Sequence, residues 1–142
     1  MATFVFRYRE IGDDLYHASF TGSLPDVRRI VAERGGSLEF AARSDASLFV
    51  ASMYGHAPIV EALLAAGADP NSKSDHGNTP LGISAKMGHS DVVRILLDRG
   101  ADARAPNSDG FTPVMLAMKA MRCELAYGII DHIAKKRRES TR

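Results

Sequence analysis

Apolar residues recur along this chain in short clusters with helical spacing, separated by polar, turn-rich stretches. The pattern is clearest between Thr79 and Asp102. The Thr79 hydroxyl can cap a helix, and Pro80 suits the first helical position, where a missing N–H costs nothing. A short helix is therefore predicted from about residue 80, with Gly88 as the left-handed residue that ends it. His89-Ser90-Asp91 leads into a second helix whose apolar face is Val92, Val93, Leu96 and Leu97. Gly100 ends that helix, and "ADARAPNSDG" reads as a polar connection. The first residues differ: Phe4, Phe6 and Tyr8 alternate with Val5, Arg7 and Arg9. That alternation predicts a strand-like extension over residues 1–12, covering the open end of the first helical unit or, alternatively, pairing with another chain's edge.

The helix-pair pattern repeats every 33 residues. Gly22, Gly55 and Gly88 stand in register, the last two followed by His56 and His89. So do Leu15, Leu48, Leu81 and Val114, and likewise Ile30, Leu63, Leu96 and Ile129. Gly67-Ala68-Asp69 returns as Gly100-Ala101-Asp102, and Gly77 as Gly110. One helix pair cannot bury its own apolar stripe, so neighbouring units must stack into a continuous core. The glycines and histidines of "DHGNTPLGISAKMGH" are thus punctuation of a fold, not a ligand loop.

"GNTPLGISAKMGHSDVVRILLDRGAD" resembles an ankyrin repeat, as does the second half of the unit containing "SLFVASMYGHAPIVEALLAAGADPN". The resemblance implies an all-α solenoid with hairpin-like connections, in units of about 13–40, 41–73, 74–106 and 107–134, followed by a basic tail at 135–142. The histidine that usually follows Thr-Pro-Leu is replaced by Tyr16, Phe49, Gly82 and Met115, which implies a weaker array than a consensus one. The fourth unit has Met121-Arg122 in place of Gly-His, as a terminal cap would.

Charge narrows the choice of partners. The 142-residue chain carries 18 Lys/Arg and 17 Asp/Glu, a formal +1. Five of those cations follow residue 134, leaving 13 against 16 acidic groups before it, a net of −3. Such a surface makes nucleic acid an unfavoured partner. No stretch reaches the roughly 18 apolar residues of a membrane span. The lone Cys123 excludes an internal disulfide and suits a reducing, cytoplasmic setting. Lys135, Lys136, Arg137 and Arg138 resemble a nuclear import signal, or alternatively form a helix end whose cations oppose its dipole.

No constellation calls for an enzyme, a metal or a cofactor. His56 and His89 lack companion ligands, and the resemblance gives them a capping role. Cys123 has no histidine bound to it by a motif, and Ser52 and Ser84 lie at positions where small residues pack. Asn71 resembles the asparagines that are hydroxylated in some ankyrin repeats.

The resemblance also implies a concave binding face. By register it carries Phe20 in the first unit and Arg43, Asp45, Met53 and Tyr54 in the second. In the third it carries Asp75, His76, Asn78, Lys86 and Met87, and in the fourth Ser108, Asp109, Phe111 and Lys119. Aromatic and methionine side chains gathered on one face favour protein or peptide recognition. The expected function is a monomeric, non-catalytic adaptor or scaffold. Its alternatives are an inhibitor or regulatory subunit of an enzyme such as a kinase, or a structural subunit of a larger assembly.

Overall fold

The computed structural model of the chain describes residues 14–35 and 38–141, apart from the side chains at 38, 39, 41 and 42. The strand-like alternation at residues 4–9 lies outside them. Eight helices and no strand are found among the described residues. They are α1 (residues 14–21), α2 (Leu24–Arg34), α3 (Leu38–Tyr54), α4 (Ala57–Ala65), α5 (Pro80–Met87), α6 (Ser90–Asp98), α7 (Pro113–Lys119) and α8 (Cys123–Ser140). Odd-numbered helices form one row and even-numbered helices a second, with α3, α5 and α7 packed side by side and α2, α4 and α6 behind them.

The local chemistry of each pair follows the sequence. Thr79 Oγ1 accepts the Gly82 N–H at 3.0 Å, and Thr112 Oγ1 accepts the Met115 N–H at 3.4 Å, each ahead of a proline in the first turn. Between paired helices the chain reverses in two residues, or three in the last pair. The N–H groups of Ser23, His56, His89 and Arg122 each donate to the carbonyl five residues back, at 2.8–2.9 Å. The residue before each donor is left-handed: glycine in three units, and Met121 at φ 62° in the fourth.

Burial tracks the 33-residue register. Ile30, Leu63, Leu96 and Ile129 are all buried, as are Leu15, Leu48 and Leu81, forming one core between the rows. This continuous apolar layer is the main stabilising feature of the stack.

Two expectations are corrected at the ends of the array. The register places a loop around residue 44, but α3 runs unbroken for 17 residues, so the second unit has no hairpin-like connection before it. Residues 38–54 contain no Gly, Pro or Asn, and Ala46-Ser47 stand where the third and fourth units carry Thr-Pro. With no breaker and buried Phe40, Ser44, Leu48 and Ala51 at helical intervals, helix is the favoured state. At the other end, α8 continues to Ser140, so Lys135 to Arg138 lie on its last turns, as the helix-end reading of these cations expects, and the boundary of a separate tail at 135 is not kept. Lys135 bridges Asp131 at 2.9 Å, one turn back, and the cations sit favourably near the negative end of the helix dipole.

The last unit is also splayed. Helix α8 packs on α7 but stands off α6, leaving a cleft of about 260 Å³ lined by Val93, Leu97, Leu125, Gly128 and Ile129 among others. A Cβ on Gly128 would meet nothing within 4 Å. Gly128→Ala should therefore stabilise the chain by about 0.5–1 kcal/mol, through lower backbone entropy in the unfolded state, read as a raised Tm.

Candidate binding groove

The odd-numbered helices end in a row of side chains that do not enter the core. Phe20, at the end of α1, meets Tyr54, at the end of α3, edge to face with ring centroids 4.9 Å apart. Both rings remain almost half exposed, and Met87 at the end of α5 is exposed to a similar degree. Lys86 and Lys119 flank them on α5 and α7. Aromatic pairs of this geometry hold each other in place, so their free faces are already ordered for contact.

Histidines fix this row from behind. His56 Nε2 lies 3.2 Å from the Phe20 carbonyl oxygen, and His89 Nε2 lies 2.9 Å from that of Met53. A carbonyl can only accept, so each Nε2 carries the proton. Each imidazole also covers the glycine of the preceding unit: a Cβ on Gly22 or Gly55 would fall 2.8 or 2.5 Å from the ring. His56 additionally stacks on Tyr54 at 6.5 Å between centroids. The capping histidines thus bind one unit to the next and hold the ends of the odd-numbered helices in position. In the fourth unit the Arg122 guanidinium takes the same place over Gly88.

The opposite wall consists of two loop tips. Ser74 donates its N–H to the Asn78 carbonyl at 3.0 Å, and Asn107 donates to Phe111 at 2.9 Å, closing equivalent hairpin-like turns. Asn107 Oδ1 accepts the N–H groups of Asp109 and Phe111, both at 3.0 Å, while its Nδ2 donates to Asn78 Oδ1 at 3.1 Å. The Ser108 N–H reaches the His76 carbonyl at 3.2 Å, so the tips are joined to each other. Lys119 Nζ sits 3.9 Å above the Phe111 ring. That cation-π contact links a helix end to a loop tip, setting the groove between them.

Most of the side chains expected on this face lie at the surface. Phe20, Tyr54, Lys86, Met87 and Lys119 are exposed on the helix row, with Met53 half-buried beside them. Asp75, His76, Ser108 and Asp109 are exposed at the tips, with Asn78 and Phe111 half-buried. Arg43 and Asp45 are exceptions: register carries them to a loop, whereas the structure places both inside α3. Asp45 Oδ1 accepts the Asp69 N–H at 2.9 Å, a contact to the following connection. Asn71 serves the same end one unit on, its Oδ1 accepting the Asp102 N–H at 2.6 Å and its Nδ2 donating to the Gly100 carbonyl.

Sequence reasoning did not single out Ser74 and Asn107, the residues that organise the tips. Their signal is local: a serine or asparagine three residues before a glycine, poised to bond its own turn. Among the described residues no three His, Cys, Asp or Glu side chains converge, and no helix is long and apolar enough to cross a membrane. Comparison with known families matches residues 48–139 to a family model described as ankyrin repeats, in three copies. No curated protein sequence matches the chain.

Proposed function

Since this chain belongs to the ankyrin repeat family, whose repeats mediate protein–protein interaction, we propose that it binds a protein or peptide segment in this groove, as a non-catalytic adaptor or scaffold. The observation that carries the reading is the exposed Phe20–Tyr54 pair continued by Met87: ordered apolar surface that the core does not use. The walls add polarity, with lysines on the helix row and carboxylates at the tips. A fitting segment presents apolar side chains to the row, an acidic group to Lys86 and a basic group to Asp75 or Asp109. Because tips and helix ends are already tied together, little ordering cost accompanies association.

The test compares capture from a cell lysate by the natural protein and by a Tyr54→Ala/Met87→Asp variant with unchanged helical circular dichroism. A specific partner held by the natural protein should be lost, its affinity falling by at least about tenfold. Equal capture by both proteins rejects the groove. Loss of the partner's own activity at saturation would add an inhibitory role.

A further inference from the structure

Five large apolar side chains of the last unit remain in water: Met115, Met118, Met121, Tyr127 and Ile130. The 33-residue register places all of them on one face. Their counterparts in the third unit are Gly82, Ala85, Gly88, Arg94 and Leu97. Gly82 and Gly88 abut Leu116 and Arg122 of the fourth unit, and Arg94 and Leu97 border the cleft to α8. The five therefore look outward from the C-terminal end of the stack, where the third unit's residues look toward the fourth.

The inner positions on this face must be small where another unit follows. The place of Met118 holds Ser19, Ser52 and Ala85, each fully buried, whereas Met118 is 57% exposed. The place of Met121 holds glycine in three units, and Met121 is 83% exposed. Methionine at both removes the close approach that a further unit of the same geometry needs. The face is nonetheless no ordinary solvated cap, for which polar residues are required.

We propose that the end face of α7 and α8 pairs with the same face of a second copy of this chain, giving a closed two-fold dimer. Area supports this occupant. The five are 44–83% exposed; for side chains of this size that is on the order of 600 Å², so a symmetric pair that covered them fully would remove about 1,200 Å² from water, the lower bound of stable interfaces. A free patch of that size is at the limit of what monomers carry. Flexible methionines adapt readily to copies of themselves.

Head-to-tail growth is disfavoured by the other end. Leu116 meets the preceding unit, as do Val50 and Ile83 by register, but the same place in α1 is an exposed histidine, His17. Where His56, His89 and Arg122 reach back, the first unit has Ser23. The apolar end therefore has its best complement in itself, and an isologous contact closes at two copies. The dimer leaves the groove open and displays it twice. The inference stands independently of what that groove binds.

The experiment is sedimentation velocity on the full chain over a micromolar concentration series. The mass is expected to rise from 15.4 kDa to twice that value. Met118→Asp should weaken dimerisation by at least about tenfold, because the two-fold brings like charges together. Met121→Gly relieves a left-handed side chain, so it should weaken dimerisation several-fold without harming the fold. Cys123, the only cysteine and the register mate of Ser90 on the same face, should cross-link to its symmetry mate with a short bismaleimide. A monomer at every concentration, open-ended species, or a dimer indifferent to both substitutions overturns the proposal.

Discussion

Leu96→Ala is expected to lower the stability of the chain by about 2–5 kcal/mol, a large part of the roughly 5–15 kcal/mol typical of folded domains. Leu96 is fully buried in α6, in line with Ile30, Leu63 and Ile129, and belongs to the core shared by successive units. Truncation removes its apolar contacts and leaves a cavity that close-packed helices on both sides refill poorly. The site amplifies the loss. In a stack, each unit is stabilised mainly by its neighbours, so weakening the third unit also weakens its coupling to the fourth. Urea denaturation followed by circular dichroism should show a lower midpoint and a broader transition. A shift worth less than about 0.5 kcal/mol, the range of neutral surface changes, would contradict the buried position assigned to Leu96.

Gly55→Ala should cost about 2–4 kcal/mol, from two separable sources. The first is conformational: Gly55 has φ 75°, where a side chain costs roughly 1–2 kcal/mol. The second is steric, since the new methyl would sit 2.5 Å from His89 Nδ1. To make room, the imidazole must leave the Met53 carbonyl, breaking a bond between the second and third units. Gly100→Ala supplies the comparison: φ is 88°, but nothing lies within 4 Å of the added carbon. Thermal denaturation should rank Gly55→Ala well below Gly100→Ala. Equal losses would mean that the histidine contact contributes nothing to the stack.

What was legible in the sequence was local or periodic. Thr79, Pro80 and Gly88 announce helix boundaries because a cap, a fixed φ and a left-handed residue each act within a few positions. The 33-residue register located the core because stacked units bury equivalent residues. The same register misled where local chemistry had changed. It imposed a loop on Arg43 and Asp45, although "LEFAARSDAS" contains nothing to break a helix. It also ended the last unit at 134, whereas the Asp131–Lys135 pair and helix-forming lysines and arginines carry α8 to Ser140.

The contacts that build the groove were less accessible. His56 and His89 could be seen to recur, but their bonds span 36 residues and depend on how far adjacent units stand apart. The Phe20–Tyr54 pair joins residues that are one position out of register. Periodicity places both on one face without implying that their rings touch.

The central claim, that the groove is the working surface, is tested most directly by site-specific photo-cross-linking in the source cell. A benzophenone amino acid would replace Tyr54 in the groove and, as a control, Asp91, whose side chain is 77% exposed on α6 in the opposite row. The account predicts a discrete protein adduct from position 54 and none from position 91. An adduct from position 91 alone would contradict it.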